Sequence, residues 1–404
     1  MAQDATQSDA SRLENLEKEN KELKSRLESL EEMFKGTPLE KEANAKPPNK
    51  TLQFLGESTL SGFVTASYFY DASDPSDGVS NGYLWTRDDN SFTINKFKLA
   101  LEKPAERSGD KWSGGYHASV ILGQDAPFTN TGGESQGLED LRQAYVEVNV
   151  PIGDGLNVRA GQLISLLNFE SGDGGAVNPN FSQGNQWFFT GNGPSAGVQG
   201  AYAFNETVDA TFRVQNGMYA GVKDNNSSKT VMGSIGLKPC ENGWIKFLGF
   251  AGSEGGPGDP GGNSDMLAGG QILAGATVNQ EKNLNVATEL TYMHWDKTSV
   301  SDPGDDAVAM SAGLWVWGDF CERLGWAVRG DYVNDRDGAF TSGLLGFPTN
   351  GGQELYSATF TLNFSPIPQV KIQPEVRFEQ TTLEDGFDGA ESRVIAGMGA
   401  SYIF

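Results

Sequence analysis

Residues 368–380 read "PQVKIQPEVRFEQ" and residues 390–404 read "AESRVIAGMGASYIF". In the second stretch Val394, Ala396, Met398, Ala400, Tyr402 and Phe404 share one parity, and Arg393, Gly397, Gly399 and Ser401 share the other. The first repeats this, with Val370, Ile372, Val376 and Phe378 set against Lys371, Gln373, Glu375, Arg377 and Glu379. Successive side chains of a strand point to opposite faces, so each stretch is a strand with one apolar and one charged face. Read backward to residue 57, the pattern recurs in sixteen runs of about 10 to 14 residues, from 57–70 to 390–404. Every second connection is tight, as in "PIGDG" from Pro151, "FNET" from Phe204, "PCENG" from Pro239, "NQEKN" from Asn279 and "SPIP" from Ser365. The intervening connections are long and rich in Gly, Asp, Asn and Ser.

Short turns at one end and long loops at the other are the asymmetry of a transmembrane β-barrel. A soluble sandwich also alternates, but it buries its apolar faces against a second sheet. Long strands in even number favour closure instead. Mean hydropathy of −0.42 is compatible with this, because a barrel averages its lipid face against a polar lumen. Aromatics gather at both strand ends, as interfacial girdles require. Tyr202, Phe204, Phe320, Phe364, Tyr402 and Phe404 fall at the short-turn end, and Tyr68, Tyr292, Tyr332, Tyr356 and Phe378 near the long-loop end.

Upstream the period changes. In residues 13–34 Leu13, Asn20, Leu27 and Phe34 recur every seven residues, and Leu16, Leu23 and Leu30 do so three positions later. These are the a and d positions of a coiled coil, with Asn20 as a register-setting polar residue. Residues 1–12 read as a flexible N-terminus, and 35–56, broken by Pro38, Pro47 and Pro48, as a linker. The expected fold is therefore all-β, a sixteen-stranded antiparallel transmembrane barrel over 57–404 behind an N-terminal α-helical coiled coil. "MAQDATQ" has neither a basic n-region nor an apolar h-region, so Ala2 is expected to begin a mature N-terminus.

A net charge of −23 argues against a nucleic-acid partner, which calls for clustered Lys and Arg. Histidines occur only at His117 and His294, each inside a strand run and neither near a nucleophile, so hydrolase chemistry has no support and no cofactor is expected. Cys240 and Cys321 fall in turns about four strands apart, roughly 20 Å, beyond the reach of a disulfide. The acidic segments "DASDPSDG" from Asp71, "GDPGGNSD" from Gly258 and "SDPGDD" from Ser301 lack EF-hand spacing, and no specific metal is assigned to them.

Residues 140–218 resemble the OmpL-like β-barrel porins, in "GLNVRAGQ" (155–162), "NPNFS" (178–182) and "AGVQGAY" (196–202), and "SYIF" (401–404) looks like a terminal aromatic assembly signal. The resemblance implies an outer-membrane porin, a homotrimer joined through the barrel wall and the coiled coil. Lipid and lipopolysaccharide surround it, and its stalk stands in the periplasm within reach of peptidoglycan. It also implies that the long connection Leu167–Gly193, after the fifth strand, is a constriction loop that narrows the lumen, with Glu170 and Asp173 in its acidic half and Trp187 and Phe188 anchoring it to the wall. A structural tether for the envelope, acting through the coiled coil, is the competing function.

Parity sends Lys96, Lys98, Arg159, Arg213, Arg329, Lys371, Arg377 and Arg393 into the lumen, with Glu147, Asp209, Glu289, Asp331, Glu375 and Glu379. Cations on one wall facing Glu170 and Asp173 across the pore would set a transverse field, whereas paired, screened charges would only keep the lumen wet. Trp315 and Trp317, also on the lumen parity, either pack under a turn or plug, the commoner role of such residues, or form a stacking platform for sugar rings.

Overall fold

The computed structural model describes Lys21, residues 24–26, Phe54 and residues 56–404, apart from 128–139, 219, 221–223, 225, 256–264 and 350. The chain divides into two units, Met1–Ser58 and Thr59–Phe404. In the first, Lys21 and residues 24–26 are helical, and every a and d position of the expected coiled coil lies outside the described residues.

The second unit is a closed barrel of sixteen strands in which every neighbouring pair is antiparallel. Its first half comprises β1 (Thr59–Asp71), β2 (Ser91–Lys103), β3 (Ser113–Leu122), β4 (Leu141–Val150), β5 (Leu156–Leu163), β6 (Ser195–Ala203), β7 (Val208–Gln215) and β8 (Thr230–Cys240). The second half comprises β9 (Gly243–Glu254), β10 (Asp265–Asn279), β11 (Leu284–Trp295), β12 (Ala307–Cys321), β13 (Leu324–Asp335), β14 (Gln353–Ile367), β15 (Val370–Thr381) and β16 (Ser392–Ile403). Strands join their sequence neighbours, and β1 pairs with β16 in the register Phe63↔Ile403. Gly62 and Phe404 exchange backbone hydrogen bonds of 2.9 and 3.0 Å at this seam. A Cβ on Gly62 would stand 2.2 Å from the Lys98 carbonyl oxygen, so only glycine fits there.

The burial pattern is that of a protein dissolved in lipid. Val376, Phe378, Val394, Met398 and Tyr402 are exposed, whereas Glu375, Arg377, Glu379 and Arg393 between them are buried. In hydrocarbon every backbone polar group must be paired, which the closed ladder achieves without an edge. Aromatics pair along both rims, Tyr332 with Tyr356 at 5.0 Å and Tyr68 with Phe92 at 4.9 Å at the long-loop end, and Tyr202 with Phe204 at 5.1 Å at the other.

Among the described residues the strand register shifts in six pairs, four of them beside short turns, and the remaining two re-aim charged side chains. The β1–β2 register shifts opposite Asn95, so Thr93 and Asn95 are buried and, one residue out of step, so is Lys96. The β3–β4 register shifts opposite Arg142, which turns inward although strict alternation from Ala144 and Val146 would send it to the lipid. A bulge inserts one residue and re-aims the side chain beside it.

The interior is less uniformly polar than alternation predicts. Met232, Leu248, Phe250, Leu267, Met293 and Trp295, from β8 to β11, pack with Leu167, Met218, Ala339 and Phe340 from long connections. Loops folded into the barrel give these apolar side chains a dry partner, so they need not face water. Cys240 and Cys321 are free and exposed.

Candidate functional site

The connection from β5 to β6 runs over residues 164–194 and carries the short helix Asn185–Phe189. Its residues 168–183 run from β10 to β15 along one arc of the wall, and 185–190 turn back to β13 and β12. Gln271 of β10 accepts the Asn168 backbone N–H at 2.7 Å, and Glu289 of β11 accepts that of Phe169 at 2.7 Å. Glu375 of β15 accepts the backbone N–H groups of Phe181 (2.8 Å) and Ser182 (3.2 Å), and Asp331 of β13 accepts that of Asn185 (2.8 Å). Cations bind the loop's carbonyl oxygens. Lys371 Nζ donates to Gly175 (2.9 Å) and Asn178 (2.6 Å), and Arg377 donates to Gln183 (2.7 Å). A loop has no ladder to satisfy its backbone, and these side chains supply the partners.

Glu170 sits at the middle of this arc. One of its carboxylate oxygens accepts from Arg329 Nη1 at 2.8 Å and Trp315 Nε1 at 3.1 Å, and the other accepts the Gly184 N–H at 2.8 Å. Both Glu170 and Arg329 are wholly buried. Asp173 pairs with Lys98 and, at 3.4 Å, with Arg142. Burial opposes ionisation of Asp173, but Arg142 and Lys98 outweigh it and hold the carboxyl below the ordinary Asp range.

Four of the expected arrangements take a different form here. The loop acids do not face the cations across a gap; Glu170 and Asp173 touch Arg329, Lys98 and Arg142, so the pairs neutralise each other and leave little transverse field between them. Trp187 does not anchor to the wall: its ring lies 4.6 Å from that of Trp85 in the β1–β2 connection, and its Nε1 donates to the Glu170 carbonyl at 2.9 Å. Trp315 is no open platform, being buried under Phe169 at 4.8 Å, while Trp317 lies 5.6 Å from the same ring. Lys96 turns away from the loop acids to Asp125 at 3.5 Å and lies 4.4 Å over Trp85.

The remaining cations stand apart from the loop acids. Arg393 bridges Asp71 (3.2 Å) and Glu379 (2.7 Å) beneath Tyr83. Arg159 pairs with Glu147 at 3.0 Å over the Tyr145 ring, and its side chain is 33% exposed. Arg213 donates to Gln199 (2.7 Å), Gln215 (3.3 Å) and the Ile164 carbonyl (2.7 Å), and among the described residues it meets no carboxylate within ion-pair distance. Reasoning from alternation missed Arg142, Asp71, Asp125 and Trp85. Arg142 left a signal nonetheless, since a lipid-facing arginine costs about 2–4 kcal/mol at mid-membrane and implies a break in parity.

The family model "Putative beta-barrel porin-2, OmpL-like" matches residues 57–404. The chain belongs to this family. The match takes in the whole OmpL-like barrel, where the sequence resemblance was clear only over 140–218. No curated protein matches the chain. Three solved barrels share the fold. OmpT of Vibrio cholerae in its trimer form has a TM-score of 0.55 at 9% identity, covering 86% of this chain and 99% of its own. The anion-selective porin of Comamonas acidovorans has a TM-score of 0.54 at 11% identity, with coverage of 86% and 99%. OprB of Pseudomonas putida has a TM-score of 0.55 at 13% identity, with coverage of 88% and 96%. An OmpL-like barrel of this architecture belongs in the bacterial outer membrane.

Proposed function

We propose that this porin passes small polar or charged solutes passively through a water-filled lumen narrowed by the 167–193 loop, with a preference for anions. The observation that carries the reading is the seating of that loop. Its backbone is bound by Gln271, Glu289, Asp331, Glu375, Lys371 and Arg377 along β10–β15, and Asp173 ties it to Lys98 of β2 and Arg142 of β4, so it covers the wall from β10 round to β4 and leaves solute the side of β5 to β7. On that wall stand Arg159, paired with Glu147 but partly exposed, and the buried Arg213, which no carboxylate among the described residues meets within ion-pair distance. A guanidinium held by amides keeps its full field for a passing anion. The arc under the loop is internally neutralised and adds little selectivity.

The trimer form of OmpT supports a homotrimer joined through the barrel wall. The heptads of residues 13–34 add a self-associating periplasmic stalk to that assembly.

Planar-bilayer conductance under a salt gradient tests the reading. Stable openings closing in three equal steps, with a reversal potential of anionic sign, are the expected result. Absence of conductance from folded, heat-modifiable protein would overturn it.

A further inference from the structure

On the outer face of the barrel, at the long-loop rim, β11 ends beside its own connection to β12. His294 lies on the lipid-side parity of β11 with Leu290 and Tyr292, in register with Val308 of β12. Its Nε2 is 3.3 Å from Asp306 Oδ2, and its Nδ1 is 3.4 Å from Asp296 Oδ1. The other Asp306 oxygen accepts the Lys297 backbone N–H at 3.0 Å, which fixes the carboxylate's orientation. The three donor groups lie within 4.8 Å of one another and are partly open to solvent.

Among the described residues neither Asp296 nor Asp306 meets a lysine or arginine within ion-pair distance, and a divalent cation would offset the two carboxylates. Two ligands held at about 2.1 Å from one ion, subtending an angle near 100°, stand about 3.2 Å apart. The Nε2 to Oδ2 separation of 3.3 Å has that value. Asp296, 3.4 Å from Nδ1, stands where a small closure would make the carboxylate–imidazole–metal arrangement, in which the second-shell acid sets the tautomer and raises the basicity of the ligating nitrogen. Imidazole selects first-row transition ions of the zinc class over calcium and magnesium, which take oxygen donors alone.

We infer that His294 and Asp306 bind a zinc-class divalent cation at the outer rim, with Asp296 as the positioning residue and the remaining coordination positions open to water. The site is independent of the pore.

The test uses the full chain without a polyhistidine tag, folded in detergent and stripped with a chelator. Calorimetric titration with Zn²⁺ should show a saturable site, weakened about tenfold or more in His294→Ala and in Asp306→Asn, and about 10–100-fold in Asp296→Asn. Heat-modifiable migration confirms that each surface variant is folded. Added Co²⁺ should give a visible absorption band that His294→Ala shifts or removes. A roughly hundredfold excess of Ca²⁺ should leave the Zn²⁺ affinity unchanged. Affinity unaltered in both His294→Ala and Asp306→Asn, or displacement of Zn²⁺ by Ca²⁺, would overturn the inference.

Discussion

Glu170 and Arg329 form a wholly buried ion pair at 2.8 Å across 159 residues of sequence, joining the first part of the β5–β6 loop to β13. Breaking a buried pair by removing one partner strands the other charge, at a cost of about 3–5 kcal/mol, while replacing both by apolar groups can be nearly neutral. Either Arg329→Ala or Glu170→Ala should therefore free the loop and give larger, noisier single-channel currents, with the barrel still folded. Arg329 also pairs with the buried Asp331 at 3.3 Å, so the double variant Glu170→Leu/Arg329→Met should recover only part of the thermal stability that Arg329→Ala alone loses. A double variant less stable than both singles would show that the pair is not the loop's clasp.

Selectivity should reside on the opposite wall. Replacing Arg159 and Arg213 together by Ala is expected to move the reversal potential toward cations, whereas Lys371→Ala, on the loop-covered arc, should move it little. Equal shifts from both changes would mean that the loop does not shield its arc.

Acid should loosen the loop through Asp173. Its carboxyl has a folded-state pKa below the unfolded value, so the tether to Lys98 and Arg142 contributes fully above about pH 3.9 and fades as pH falls through the lower folded value. Open-channel noise in the native chain should stay constant from neutrality to about pH 4 and rise below it. Asp173→Asn should be noisy at every pH, and a native-like acid profile in that variant would assign the transition to another group.

Sugar titration should leave the emission of Trp315 unquenched, because Phe169 and Glu170 already cover its ring and its Nε1. Quenching that disappears in Trp315→Phe would restore the stacking role that the buried ring argues against.

The sixteen strands were legible because period two is a one-dimensional signal, and each run carries it independently of its neighbours. The inward cations Arg329 and Arg377 followed from the same parity. So did their strand partners Asp331 and Glu379, but the loop partners Glu170, Ser182 and Gln183 did not, since they reach the cations through the path of a loop, and no local pattern encodes where a loop lands. Arg142 was hidden for a related reason: a bulge changes the phase of a strand, and only the partner's register reveals it. The apolar cluster around Phe250 and Met293 lay in plain sequence as inward hydrophobes, yet its meaning depends on Met218 and Phe340 arriving from other connections.

The pairing of β1 with β16 has a consequence for biogenesis. A sheet that closes first strand to last has no finished subset. Any shorter product keeps two raw edges, each a row of unmet donors and acceptors that hydrocarbon will not tolerate and a neighbouring chain will readily extend. The seam at Gly62 thus acts as a proofreading step on chain length: a nascent polypeptide lacking β16 has nowhere stable to reside, and quality control needs only to recognise an open edge.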